Sequence, residues 1–466
     1  MLKEHVSDKA KVIAGLTKSA DIVSSTFGGH GKNVLMYQNG NLTFTKDGVS
    51  VAQEIGFENT EEHIGHLLLM NAAKQTVKEC GDGTTLTSLL TSEFVSKISK
   101  ELESITDFNA FIENADFQVS QLVDFLKQTS RQIESATDIY DVALTSCKDP
   151  RLAEMIKGIY VKAGLDASIS VEQVEQPSTY IEHTTGLSFE EGFVNQGFAN
   201  LDNGNCAFEN PSFLLLDNAL NEPNEINDYV VSCHKDQIPL VILCPNYSDL
   251  IVRYALSNKE RGIKICLVKM PGWAESKKNN IKDIKAFLTN GSANKVLITP
   301  YEFTIFNNPT SKQIKTRVKQ LQQLLESSEE EWERIEFKKR IANIQQKSAI
   351  IYVGGTTSKQ AKEEFDRIED AVGAVKSATS LGFQTGVGVS LYNYTNCDSW
   401  LAEILRSPHE KIMSNARLIP SGLPINTRTK QEDTSLIDPT LVLVSAIQNA
   451  YSLAKMITVT DYILYD

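Results

Sequence analysis

The sequence predicts a multi-domain α+β protein in which an α/β segment is inserted between two mainly helical stretches. Three observations predict it. The chain has 466 residues, enough for about three domains at roughly 100–200 residues each. Helical periodicity dominates residues 1–130. Between about 180 and 345 it gives way to short apolar runs separated by polar helical segments, the texture of a buried sheet with helices on it. Helical segments of similar character lie on both sides, so this stretch reads as an insertion.

Each element has a local cause. Val12, Ile13, Leu16, Ile22 and Val23 mark one apolar helix face leading to Phe27. Gly28-Gly29-His30-Gly31 then ends the helix, because glycine tolerates positive φ. Asn33–Tyr37 and Leu42–Thr45 are β-rich runs around Asn39-Gly40-Asn41, a hairpin signal. Helical periodicity resumes from Val51 through Val77, stops at Cys80-Gly81-Asp82-Gly83 and restarts at Thr84, continuing to about Ile98. In the insert, Phe213–Leu216, Leu240–Leu243 and Ile265–Val268 read as buried strands. Ile314, Val318, Leu321 and Leu325, then Ile335, Phe337, Ile341 and Ile344, follow helical spacing. Ser327-Ser328 and Glu329-Glu330-Glu331 separate them, so residues 311–346 read as an antiparallel helical hairpin with its charges on a solvated face.

Composition narrows the function. With 46 basic and 59 acidic residues the net charge is −13, a poor match to nucleic-acid phosphates or anionic lipid. Neither nucleic acid nor membrane is expected as a partner. No run approaches the ~18 consecutive apolar residues of a spanning helix, and the N-terminus lacks the apolar run of a signal peptide. Seven scattered cysteines, none at Cys-x-x-Cys spacing, disfavour disulfides and zinc and favour a reducing cytoplasm. His63 and His66 follow Glu62, but no further ligand completes a set, so they read as helix surface.

Four short segments carry candidate chemistry. Cys80-Gly81-Asp82-Gly83-Thr84-Thr85 opens a helix whose free N–H groups attract an anion, and Asp82 there suits Mg²⁺. The plain alternative makes Asp82 an N-cap. Thr45-Lys46-Asp47-Gly48 ends an apolar strand in a charged turn. Ile368-Glu369-Asp370-Ala371-Val372, followed by Gly382, Gly386 and Gly388, puts Asp370 on the inner face of a helix, where a carboxylate near a phosphate can orient water. A helix-surface acid is the alternative. Asp438-Pro439-Thr440 precedes a helix, where a cap is the plain reading.

As an ordered set these segments resemble the group I chaperonins, the GroEL or 60-kDa heat-shock type. The resemblance rests on Thr45-Lys46-Asp47-Gly48-Val49-Ser50-Val51-Ala52, Gly81-Asp82-Gly83-Thr84-Thr85, Glu369-Asp370-Ala371 and Asp438-Pro439-Thr440. Thr26 to Val34 and Lys269-Met270-Pro271-Gly272-Trp273 support it. It implies a helical equatorial ATPase domain (1–130 and 383–466), a small intermediate domain (131–185 and 347–382) and an inserted α/β apical domain (186–346). It implies ATP and Mg²⁺ as cofactors, with K⁺ as a further candidate. It also implies a homo-oligomeric ring, typically heptameric, non-native client proteins, and a co-chaperonin lid as a candidate partner. By the same resemblance Asp82 is the Mg²⁺ ligand, and Gly83, Thr84 and Thr85 cradle phosphate with Thr26, Phe27, Gly28 and Gly29. Lys46 contacts nucleotide and monovalent cation, and Asp47 and Asp370 activate the attacking water. Gly386, Val387 and Gly388 contact the nucleotide, Asp438 its ribose and Asn426 its adenine side. Phe193, Val194, Phe198, Tyr229, Val230, Val252 and Leu256 become an exposed apolar client-binding surface, costly unless it binds something.

The sequence departs from the family at several points. The family's Gly-Pro-Lys-Gly turn is Gly28-Gly29-His30-Gly31, the third threonine after Asp82 is Leu86, and the middle glycine of a triple is Val387. Gln346-Lys347 replaces paired hinge glycines, which implies a smaller or differently pivoted apical swing. The shortening between Leu391 and Asp438 implies weaker contact between rings. Thr460 to Asp466 do not resemble the family's Gly-Met-rich tail, and by the resemblance a divergent, phage-type member is expected.

Overall fold

The computed structural model describes residues 9–460, apart from 39–40, 104–106, 166, 202, 273–274, 308–310, 329–330 and 346. The Asn39-Gly40 turn, Trp273, Glu329-Glu330, Gln346 at the expected hinge, and residues 461–466 of the tail therefore lie outside the described residues. Contacts divide the chain into two units, Met1–Gly158 with Lys362–Asp466, and Ile159–Ala361.

The first unit is helical. In chain order its elements are α1 (Lys9–Ser24), β1 (Val34–Gln38), β2 (Asn41–Thr45), α2 (Gly48–Glu54), α3 (Thr60–Cys80), α4 (Thr84–Leu102), α5 (Phe108–Gln128), α6 (Ala136–Cys147) and α7 (Pro150–Ala163), the last running into the second unit. Leu16, Leu90, Phe94, Leu122, Leu401, Ile404 and Ile447 are fully buried in one core. The expected long helix from Val51 to Val77 is two helices. Ile55 is extended and Asn59 caps α3, its Oδ1 accepting the Glu62 N–H at 2.9 Å. An asparagine cap satisfies one of the donors a helix start leaves bare, which makes restarting cheap. His66 is not on the surface: it is 3% exposed, its Nδ1 lies 3.2 Å from the Ser19 hydroxyl, and burial holds its pKa below the ordinary value.

The second unit holds two sheets. Its strands are β3 (Ser168–Gln173), β4 (Tyr180–Phe189), β5 (Cys206–Glu209) and β6 (Ser212–Leu215), then α8 (Asn227–Lys235), β7 (Leu240–Cys244), α9 (Asp249–Glu260), β8 (Ile265–Lys269), α10 (Glu275–Phe287), β9 (Lys295–Ile298) and β10 (Phe303–Phe306). They are followed by α11 (Ser311–Ser327), α12 (Glu331–Gln345) and β11 (Lys347–Val353). Parallel β6-β7-β8 is the sheet expected from the three apolar runs, and β7 is buried along its whole length. The second sheet, β3-β11-β4-β10-β9-β5, is mixed, with β3 and β11 parallel and the other pairs antiparallel. Helices α11 and α12 pack together as expected, but their charges are not all solvated. Arg317 on α11 and Arg340 on α12 are buried and clamp Asp283 of α10, with Nε to carboxylate distances of 2.7 and 2.8 Å.

The chain returns through α13 (Ser358–Leu381), then β12 (Phe383–Thr385), α14 (Val389–Tyr392), α15 (Ser399–Asn415), β13 (Ile425–Asn426), β14 (Gln431–Glu432), β15 (Ile437–Pro439) and α16 (Thr440–Val459). By length and composition α16 could cross a membrane, but 67% of its apolar window is buried inside the protein, as a core helix requires. The seven cysteines are free, and six are buried.

Candidate functional site

Three chain breaks meet in the first unit. The first is the turn after α1. Thr26 is buried and its hydroxyl donates to the Val23 carbonyl at 2.8 Å, while Gly28 stands at φ +83°. Phe27 turns its ring into the helical core, so only its backbone belongs to the turn. The second is the start of α2. Asp47 caps it, accepting from the N–H groups of Val49 and Ser50 at 3.2 and 2.6 Å. A Cβ at Gly48 would stand 2.3 Å from the Thr85 hydroxyl and 3.7 Å from that of Thr26, which brings the first two breaks onto the third. Lys46 beside them is exposed.

The third break is Gly81-Asp82-Gly83, where α3 ends and α4 begins. Asp82 does not cap α4. Gly83 is the cap residue and no side chain caps the helix, so its first N–H groups remain available to an anion. The Asp82 carboxylate instead accepts the Gly83 N–H at 2.5 Å.

Helix α13 lies directly on this break. A Cβ at Gly373 would stand 2.6 Å from the Gly81 carbonyl oxygen, and one at Gly81 would stand 2.8 Å from the Gly373 Cα. Only a pair without side chains allows backbones this close. One turn on, the Ser377 hydroxyl donates to the Cys80 carbonyl at 2.7 Å. Asp370, Gly373 and Ser377 are spaced to share one helix face, so this seam sets Asp370 beside Asp82.

The result is a concentration of acid. Burial, then Asp82, Asp47 and Glu369, push the Asp370 carboxyl well above the ordinary carboxylate range. Burial and Asp47 raise Asp82, partly opposed by the Gly83 N–H and Lys148. Burial and Asp47 lift Asp366 to about 6. Burial, Asp366 and Asp47 lift Glu369 to about 7. Glu369 meets solvent over much of its surface, so water screens its share and the recessed Asp370 bears most of the repulsion. Lys148, just past the end of α6, faces Asp370 and Asp82; burial lowers its pKa below the ordinary lysine value, and the two carboxylates only partly oppose this. Neither Lys148 nor Asp366 was foreseen from sequence. Ser146-Cys147-Lys148-Asp149-Pro150 looks only like a helix end before a proline.

Asp438 closes the far side. It is no helix cap: it lies in β15, and its two oxygens accept the N–H groups of Val387 and Gly388 at 3.3 and 2.9 Å. Burial and Asp82 raise its carboxyl to about 6. Gly386 packs against the backbone of Ile437, where a Cβ would stand 2.6 Å from the nitrogen. Asn426 spends its side chain locally, on Asp433 at 2.9 Å and on the N–H groups of Arg428 and Thr429. Its neighbour Thr427 packs against Gly29.

Among the described residues no three His, Cys, Asp or Glu side chains converge as a metal-binding group. Mg²⁺ takes one or two carboxylates and fills its octahedron with phosphate oxygens and water, so Asp82 alone could hold it. An excess of crowded carboxylates beside an uncapped helix start suits a bound cation and anion together.

The expected client surface needs correction. Phe198 is fully buried, Val230 is 1% exposed and Phe193 8% exposed. Val194, Val252 and Leu256 are half-buried against the same core, Leu256 packing on Gly197. Tyr229 is the exposed member, at 55%, and Val231 and Leu250 join it. On α8 the face toward the core is taken by Val230 and Cys233, which turns Tyr229 outward.

Comparisons with known proteins agree with this architecture. The model of the TCP-1/cpn60 chaperonin family matches residues 20–238. The chaperonin GroEL of Orientia tsutsugamushi (strain Boryong) is 26% identical over 98% of this chain and 93% of its own, and that of strain Ikeda aligns equally. Two crystal forms of the chaperonin gp146 of bacteriophage EL 2 (Pseudomonas aeruginosa), determined in the presence of ATP-BeFx, share the fold. Each covers 100% of this chain and 99% of its own at 20% identity, with TM-scores of 0.75 and 0.67. With the ordered motifs, the helical unit and the inserted α/β unit all accounted for, the chain is similar to the TCP-1/cpn60 chaperonins over nearly its whole length and is consistent with a divergent group I chaperonin.

Proposed function

We propose that the chain is the subunit of a cytoplasmic, ATP-hydrolysing chaperonin that forms homo-oligomeric rings, holds non-native proteins and assists their refolding. The observation that carries this reading is the meeting of Asp47, Asp82 and Asp370, from three distant parts of the sequence, beside the uncapped start of α4. Asp82 would hold Mg²⁺, which when bound neutralises phosphoryl charge. The N–H groups at the start of α4 and the hydroxyls of Thr84 and Thr85 would bind phosphate oxygens. Asp370, seated by the Gly81–Gly373 seam, would orient the attacking water and take its proton, with Asp47 assisting. The Gly386–Gly388 turn and Asp438 would hold the sugar side.

In this reading the domains are those expected from sequence, with Tyr229, Val231 and Leu250 of the inserted unit forming the outermost apolar client contacts. The β1–β2 hairpin supports assembly. Leu35 pairs with Phe44 and Tyr37 with Leu42, and all four are more than half exposed. Such a ribbon is the kind of surface a neighbouring subunit covers. We assign it to the ring interface, with seven subunits expected.

Steady-state phosphate release tests the proposal. Turnover in the parent that depends on Mg²⁺ and is lost in Asp370→Ala supports it. A second reading, a nucleotide-binding holdase without turnover, draws on one observation: Asp370 is pushed toward its protonated form, in which it cannot accept a proton. Nucleotide binding with no phosphate release in the parent would establish that reading instead.

A further inference from the structure

Val387 stands at φ +62°, in the left-handed region where a β-branched residue is strained. Its flanking residues are glycines, and Gly388 is itself at φ +68°. The Val387 peptide is gripped from both ends. Its N–H donates to Asp438 at 3.3 Å, and its carbonyl faces Nδ1 of His409 at 2.9 Å. His409 is completely buried on α15, after the mid-helix Pro408, with the Tyr392 ring edge-on at 4.8 Å between centroids. Its other nitrogen, Nε2, accepts the N–H groups of Gly422 and Ser421 at 3.3 and 3.4 Å. A carbonyl can only accept and an amide N–H can only donate. These partners therefore fix the neutral tautomer, with the proton on Nδ1 and the lone pair on Nε2. Burial also holds the ring below the ordinary histidine pKa, in keeping with a neutral imidazole.

We propose that His409 is a positioning residue for the nucleotide: its Nδ1–H clamps the Val387 carbonyl and ties the 386–388 turn to the 421–422 loop, holding a conformation that a glycine at 387 would adopt unaided. This rests on the reading of the 386–388 turn as a nucleotide contact. It also explains how the chain tolerates valine there.

Side-chain mimics test it. His409→Asn keeps a donor near the Nδ1 position, His409→Gln keeps an acceptor near Nε2, and His409→Leu keeps neither. Two readouts are taken on the full-length oligomer: hydrogen exchange of the peptide covering residues 386–391 without nucleotide, and the Kd for Mg²⁺-ATP. The expected result is lost protection and about tenfold weaker binding in the Gln and Leu variants, the scale of one buried hydrogen bond. The Asn variant should stay within about threefold. Adding Val387→Gly to His409→Leu should recover most of the affinity, because glycine removes the need for the clamp. Equal behaviour of the Asn and Leu variants, or no recovery in the double variant, overturns the proposal. If the parent itself binds no nucleotide, the functional reading falls, while exchange at 386–391 still decides whether the clamp exists.

Discussion

Each unit contains a cluster of charge, and the two are built on opposite rules. In the second unit Asp283 is matched by Arg317 and Arg340, each within hydrogen-bond distance. In the first, Asp47, Asp82, Asp366, Glu369 and Asp370 crowd together, and most carry pKa values pushed upward by burial and by one another. A cluster that neutralises itself holds a shape: the clamp on Asp283 joins α10 to the α11–α12 pair. A cluster that stays acidic is set for charge from outside, which magnesium and nucleotide would bring.

The largest test of that contrast is chemical. Asp370→Ala should lower phosphate release by about 10²–10⁴-fold, the usual range for a general base, with nucleotide affinity little changed. Undiminished turnover would remove the acidic cluster from the reaction. Next comes the matched cluster. Asp283→Ala leaves two buried guanidinium groups facing each other and should destabilise the protein by roughly 3–5 kcal/mol in urea unfolding. Replacing all three residues together, as Asp283→Leu, Arg317→Met and Arg340→Leu, should be neutral or stabilising. Neither change should alter the chemistry of the other unit in protein that remains folded.

A pH series sharpens the difference further. In nucleotide-free protein Asp366 and Asp438 titrate near 6, above their ordinary value of 3.8, and Asp370 lies well above it. The native state therefore binds more protons than the unfolded chain through this window. Stability should fall as pH rises from about 5 to 8, read as a declining Tm. Asp370→Asn should raise the Tm at pH 8 and flatten the slope, and a Tm that climbs over this range would contradict the assignment. The smallest effect lies on α8. Tyr229→Ser should weaken capture of an unfolded protein a few-fold without changing stability. Val230→Ser, one residue on, should cost roughly 2 kcal/mol of stability. Equal effects on capture would mean that the exposed side of α8 is not the contact.

What could be read in advance follows from how local each signal is. The Gly81-Asp82-Gly83 break, the hairpin runs and the three strands of the parallel sheet are written in consecutive residues. Their contacts were legible accordingly. The six-stranded sheet was not, because β11 pairs with β3 and β4 across more than 150 residues, and sequence spacing carries no trace of that. The Arg317–Asp283–Arg340 clamp was missed because arginines on a polar helix look like solvated surface until a third helix covers them. The break before α3 could have been seen, since Asn59-Thr60-Glu61-Glu62 is a helix-start pattern. Of the expected client residues Tyr229 is exposed, while Val230 failed by phase, since on a short helix one residue exchanges the outer face for the inner; Phe193 and Phe198 lie outside the α-helices and face the core.

The β1–β2 ribbon bears on how such a molecule is made. In the ring proposed above a neighbour would cover these four bulky, mainly apolar side chains, so a protomer on its own would be the form most prone to stick to the wrong neighbour. Newly synthesised copies would then be safest where their siblings are abundant, and dilution during purification should cost more active material than concentration does.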